Sequence, residues 1–191
     1  MRLKSLKEGQ RWFNKPVWRD VMIDTPHKER HTISIIVDNE AGVLARVIGL
    51  FSGRGYNIEH LTVAPVDLLG NESRITVVTS GTRKIIEQIK AQLDRLVPIH
   101  RVGDLTDEGP SVERELALVK VTGDREQRVE ALRVAEAFRA KRVDSTPNSF
   151  VFEVTGKTEK IKAFVELMSD LGLEEVVRTG VAALHRGKQV L

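Results

Sequence analysis

The chain has 191 residues, 41% of them hydrophobic and 30% charged, which suits a globular protein of one domain or two small ones. It contains no cysteine, so disulfide bonds and thiolate chemistry are excluded. No apolar run approaches the length of a membrane span and no signal-peptide core is visible, and we expect a cytoplasmic protein.

The positive charge is concentrated in residues 1–30. This segment holds eight Lys or Arg and four Asp or Glu, a net of +4, whereas the whole chain carries +3. Residues 31–191 are therefore close to neutral, and they lack the excess of basic residues that is typical of nucleic-acid-binding domains. Residues 1–30 show no sustained hydrophobic period, and we predict a disordered or loosely packed extension. Two other interpretations of this segment remain open: it binds a partner, or the start site is assigned too far upstream.

Residues 31–105 show the pattern of a βαββαβ unit. Ile33, Ile35 and Val37 alternate with their neighbours as in a strand, and turn-forming residues then interrupt the pattern. Apolar residues at helical spacing follow. The predicted strands are 33–37, 58–63, 74–79 and 97–102, and the predicted helices are 43–51 and 83–94.

The polar segment 103–110 is the best linker candidate, and residues 110–191 repeat the same order. The predicted strands there are 115–121, 143–145, 150–154 and 175–184, with helical stripes at 131–138 and 161–168. We therefore predict an α+β fold of two tandem ferredoxin-like units. Each unit is small enough for its core to be marginal alone, so pairing of chains in a dimer is expected.

A polar loop connects the first predicted strand to the first predicted helix. Asn39 and Gly42 lie in it, and the helix begins near Val43. Such a loop can present free N–H groups and the positive end of a helix dipole to a small anion, and glycine permits close approach. A simple turn explains the same residues without a ligand.

The run DNEAGVLARVIGLFSGRGYNIEHLTVAP carries a family resemblance, together with SRITVV, IEQIKAQLDRLVPIHRV, VERELALVKV and RTGVAALHRG. These strings closely resemble the regulatory small subunit of acetolactate synthase, also called acetohydroxyacid synthase, whose N-terminal unit is an ACT domain. The resemblance covers about residues 31–187. It implies an effector site that holds a carboxylate at Asn39, Gly42, Val43 and Leu44, completed by Asn57 and Ile58 of a neighbouring chain.

The resemblance also implies a function. The family activates the large catalytic subunit of acetolactate synthase, a transferase, and confers feedback inhibition by valine or related amino acids in branched-chain amino-acid biosynthesis. Thiamine diphosphate, magnesium and FAD would belong to that partner. The alternative is a free-standing ACT-type amino-acid sensor that controls transcription or another enzyme.

Independent catalysis is not expected. None of the five histidines has metal-ligand spacing with another histidine or a carboxylate, so no metal site is predicted. No nucleophile motif is present. The GRG string at Gly53–Gly55 follows a helix instead of preceding one, which favours a helix C-cap over a phosphate loop.

Overall fold

The computed structural model describes residues 28–191, so the predicted extension lies outside the described residues except for its last three. The first unit comprises β1 (Glu29–Asp38), α1 (Val43–Ser52), β2 (His60–Pro65), β3 (Glu72–Gly81), α2 (Arg83–Leu93) and β4 (Ile99–Asp104). The second comprises β5 (Ser111–Val121), α3 (Arg125–Ala137), β6 (Lys141–Ser145), β7 (Phe150–Gly156), α4 (Thr158–Ser169) and β8 (Leu173–His185). No helix in this range has the length and apolar character needed to span a membrane.

The two units share one topology. The first sheet has the strand order β2-β3-β1-β4 and the second has β6-β7-β5-β8, and all neighbouring strands are antiparallel. In each unit the first and third strands are central and the second and fourth are edges. This arrangement confirms the prediction of tandem ferredoxin-like units.

Each sheet buries one face against its own two helices. In the first unit Ile33 and Ile35 of β1 are fully buried and pack with Val47 and Phe51 of α1. Apolar residues recur every 2 positions in the strand and about every 3.6 positions in the helix, which places these side chains at one interface. The second unit has an equivalent core that includes Val119, Phe152 and Phe164.

Several predicted boundaries differ from the structure by a few residues, and two of these differences concern the candidate site and the connection between the units. Strand β2 begins at His60, two residues later than predicted, because Ile58 lies in the preceding loop and packs against the first core. The predicted linker 103–110 begins inside β4, and its Leu105 is only 1% exposed. The Leu105 N–H donates to the Thr32 carbonyl at 2.9 Å, so this part of the connection is held against the first sheet.

The outer face of the first sheet contacts the second unit. Val78 and Leu105 form a buried cluster with Val181 and Ala183 of β8. The Thr62 hydroxyl donates to the Val181 carbonyl at 2.8 Å. The contact combines apolar burial with a specific hydrogen bond, which fixes how β8 crosses the first sheet.

Candidate functional site

The loop after β1 is held in place by the β2–β3 hairpin. The Asn39 side-chain amide donates to the Gly70 carbonyl at 2.8 Å, and the Asn39 backbone N–H donates to the Asn71 carbonyl at 2.7 Å. Asp38, which ends β1, is paired in register with Glu72. Asn39 is exposed yet anchored at both its backbone and its side chain, so it forms a fixed rim beside the start of α1.

Gly42 is the N-cap of α1 and adopts a left-handed backbone with φ of +88°. This conformation strongly favours glycine, and it turns the chain from the loop into the helix. An added β-carbon would meet no atom of the described residues within 4 Å. The loop therefore leaves open space at the helix start, where the sequence predicts a ligand.

The start of α1 is not filled by polar groups of residues 28–191. No side chain in this range caps it, and its first turn contains no acidic residue. The Val43 N–H makes a long 3.4 Å contact to the Glu40 carbonyl, and no backbone hydrogen bond from the N–H of Leu44 or Ala45 is found within residues 28–191. These donors and the helix dipole are available to an anion.

The corresponding helix of the second unit is capped differently. The Asp124 carboxylate accepts from the Gln127 N–H at 2.9 Å, and the Gln127 side-chain carbonyl accepts from the Asp124 N–H at 2.9 Å. This reciprocal capping box places a negative charge where a ligand carboxylate would have to lie. The starts of α2 and α4 also lack a side-chain cap, so the absence of a cap alone does not single out α1.

Asn57 and Ile58 lie in the loop that follows α1. Gly55, with φ of +68°, turns the chain there, and the Asn57 carbonyl accepts from the Thr79 hydroxyl at 2.6 Å. The Asn57 side chain is exposed, whereas Ile58 is half-buried against the first core. The backbone bond to Thr79 fixes the loop, and the exposed Asn57 amide makes no hydrogen bond to the other described residues, so it can contact another molecule.

The two groups of predicted site residues lie at opposite ends of the first sheet. The Asn39 loop adjoins Glu72, where β3 begins, and the Asn57 loop adjoins Thr79, seven residues further along the same strand. At about 3.3 Å per residue these ends are roughly 23 Å apart. One chain therefore brings Asn39, Gly42, Val43 and Leu44 together but does not bring Asn57 and Ile58 to them.

The fold brings together a histidine and carboxylates that are far apart in the sequence. His31 Nδ1 donates to Asp104 Oδ2 at 2.7 Å, with both side chains buried, and Asp107 lies close enough for all three residues to offer ligand atoms within 4.8 Å. The register of β1 against β4 creates this cluster. Sequence spacing did not reveal it because 73 residues separate His31 from Asp104.

A polar network joins the Asn57 loop to the second unit, and sequence reasoning missed it as well. Glu59, next to Ile58, accepts from the Ser80 hydroxyl at 2.5 Å and lies 3.9 Å from Arg30. Arg30 forms an ion pair with Glu113 at 3.2 Å, and the Thr32 hydroxyl donates to the same carboxylate at 2.5 Å. The loop and β5 are thus connected through half-buried charged groups.

Comparison with known protein families accounts for both units. Residues 33–101 match the model of the small-subunit-like ACT domain of acetohydroxyacid synthase, and residues 114–187 match the model of the small subunit of acetolactate synthase. The first match covers most of the N-terminal unit, which contains Asn39 and Asn57. The second match covers most of the C-terminal unit, which ends with β8.

Whole-chain relatives agree with the two models. A probable acetolactate synthase small subunit of Archaeoglobus fulgidus is 44% identical over 84% of this chain and 99% of its own length. The acetolactate synthase isozyme 3 small subunit of Escherichia coli is 44% identical over 85% of this chain and 99% of its own. The crystal structure of the small subunit from Thermotoga maritima superposes with a TM-score of 0.76 at 36% identity, covering 84% of this chain and 99% of that chain. The chain belongs to the acetolactate synthase small-subunit family, with an N-terminal ACT domain.

Proposed function

We propose that this chain activates the catalytic subunit of acetolactate synthase and makes it sensitive to feedback inhibition by valine or a related branched-chain amino acid. The chain would then regulate branched-chain amino-acid biosynthesis. Thiamine diphosphate, magnesium and FAD are assigned to the catalytic partner. The effector site is assigned to Asn39, Gly42, Val43 and Leu44 of one chain with Asn57 and Ile58 of a second.

The observation that carries the proposal is the open start of α1. Gly42, with φ of +88°, turns the chain into the helix, and no side chain of the described residues caps its first turn. A free amino acid brings a carboxylate that such donors bind through charge-assisted hydrogen bonds. The corresponding helix of the second unit, α3, has Asp124 in this place and offers no such opening.

The separation of roughly 23 Å between the two half-sites supports a dimer. In a two-fold symmetric pair the α1 start of each chain can face the Asn57 loop of its partner, which gives two identical sites. Asn57 then contributes an exposed amide for the polar groups of the effector, and Ile58 contributes an aliphatic surface for its side chain.

Effector binding must favour one state of the complex in order to change activity. The path that we propose for this coupling runs from the Asn57 loop through Glu59 to Arg30 and then to Glu113 of β5. A shift of the loop by a bound effector would alter the distance between Glu59 and Arg30, and with it the contact between the two units.

Assays with the purified subunits test the function. We expect no acetolactate formation by this chain alone, a rise in the activity of the catalytic subunit when the chain is added, and a fall when valine is then supplied. Calorimetric titration of the full chain with valine, leucine and isoleucine would identify the effector. Turnover by the chain alone, or the absence of any effect on the catalytic subunit, would refute the proposed function.

A further inference from the structure

A second open space lies between the two units, away from the start of α1. It is a cavity of about 360 Å³ between the outer face of β2 and β3 and the ends of β5 and β8. Its walls are mainly methyl groups, including those of Ala182 and Leu184, and the Thr62 and Thr76 side chains also line it. A volume of this size falls within the range of small-molecule sites.

Two arginines line this apolar cavity, Arg74 from β3 and Arg114 from β5. Arg74 Nε is buried and has no hydrogen-bond partner among the described residues. Arg114 donates from Nη1 to the Glu113 backbone carbonyl at 2.8 Å, which leaves its charge unneutralised by that bond. Of the described residues lining the cavity, none carries a carboxylate.

A buried guanidinium N–H without an acceptor is costly. An anion that accepts from Arg74 Nε would remove this cost and would also pair with the exposed charge of Arg114. The planar guanidinium matches a carboxylate in particular, because two parallel N–H groups can bind its two oxygens. The methyl-lined remainder of the cavity favours an aliphatic body over a polar one.

We propose that this cavity binds a small molecule with an aliphatic body and a single carboxylate, held by Arg74 and Arg114. The site is formed by both units of one chain. It is separate from the effector site at the start of α1 and does not depend on the proposed function of that site.

Titration calorimetry of the full chain with octanoate tests the proposal, with octanamide as the matched neutral probe. We expect octanoate to bind with one molecule per chain and octanamide to bind at least tenfold more weakly. Arg74→Gln and Arg114→Gln should each weaken octanoate binding about tenfold, since each removes one charge-assisted contact. Arg95→Gln, an exposed arginine outside the cavity, should leave it unchanged.

The proposal is overturned by a lack of octanoate binding at millimolar concentration, by equal binding of octanamide, or by unchanged octanoate binding in every arginine variant that folds. Thermal unfolding by circular dichroism identifies a variant that fails to fold, and Arg114, which is exposed, provides a test even if Arg74→Gln does not fold. Octanoate binding should persist in Gly42→Asp. Its loss from folded Gly42→Asp would instead place octanoate at the start of α1 and would contradict a separate site.

Discussion

Gly42→Asp is expected to abolish feedback inhibition while the chain still activates its catalytic partner. The new carboxylate would lie beside the first-turn N–H groups that we assign to the carboxylate of the effector. At about 4 Å and an effective dielectric constant near 20, the repulsion is about 4 kcal/mol, or roughly a thousandfold loss of affinity. Activation and valine inhibition measured side by side with the variant would show the separation of the two effects.

The left-handed backbone of Gly42 adds a structural cost that the sequence does not reveal. From the sequence alone, an acid at a helix N-terminus is expected to be favourable by about 0.3–1 kcal/mol. With φ at +88°, however, any residue with a β-carbon is strained, by about 1–2 kcal/mol. Some loss of stability is therefore expected, although an added β-carbon meets no atom of residues 28–191 within 4 Å.

Gly42→Asn is the matched control because it has the same backbone strain and nearly the same shape without the charge. It should lose much less effector affinity than Gly42→Asp. Equal losses in the two variants would mean that strain, not charge, disrupts the site. Normal valine inhibition of Gly42→Asp would mean that no carboxylate binds at the start of α1.

Glu115→Gln is expected to lower the free energy of unfolding by about 2 kcal/mol at neutral pH, because its charge-assisted hydrogen bonds are lost while Arg178, which is 35% exposed, stays partly hydrated. The Glu115 side chain is fully buried and accepts from Arg178 Nε at 2.5 Å and Nη2 at 2.8 Å, and from the Thr158 hydroxyl at 3.3 Å. Glutamine keeps the shape but removes the charge that Arg178 binds.

The loss of stability in Glu115→Gln should depend on pH. Burial raises the pKa of Glu115, but the hydrogen bonds and charge of Arg178 outweigh burial and hold the pKa below its ordinary value of 4.5. A carboxylate with a lowered pKa stabilises the fold fully above its unfolded pKa and loses that contribution as the pH falls through the folded value. The difference between wild type and Glu115→Gln should therefore shrink on acidification below pH 4.5.

Denaturant unfolding at pH 7 and pH 3 would measure this dependence, with Glu130→Gln as the control. Glu130 forms an exposed pair with Arg133 at 2.9 Å, and its loss should change stability by less than ~1 kcal/mol. A Glu115→Gln effect as small as that of Glu130→Gln, or one that is equal at both pH values, would contradict the role given to the Arg178 pair.

Local patterns were sufficient to predict much of the fold. The alternation of Ile33, Ile35 and Val37 and the helical stripe that begins at Val43 depend only on the geometry of one strand and one helix, and both elements are found where predicted. The repetition of this order in the second half then indicated the tandem architecture. Ile58 lay outside its predicted strand because packing against the core, not strand propensity, fixes its position.

Contacts between distant segments could not be predicted in this way. The ion pair of Arg30 with Glu113 joins residues 83 positions apart, and the buried pair of His31 with Asp104 depends on strand register. The cavity between the units depends on how β8 crosses the first sheet, which no local period encodes. For the candidate site, the loop and its glycine were predictable, whereas the left-handed φ of Gly42 and the separation of the two half-sites depend on the folded sheet.

Mixing two variants tests most directly whether the effector site is shared between chains. In a mixture of Gly42→Asp chains with Asn57→Ala chains, each mixed dimer would contain one intact site, with Gly42 from one chain and Asn57 from the other. About half of the dimers are mixed in a random two-fold assembly, so roughly a quarter of the wild-type valine-binding capacity should return. Each variant alone should show weak or no binding at the same valine concentration. If capacity does not return although mass spectrometry shows mixed dimers, the site is not built from two chains in the way that we propose.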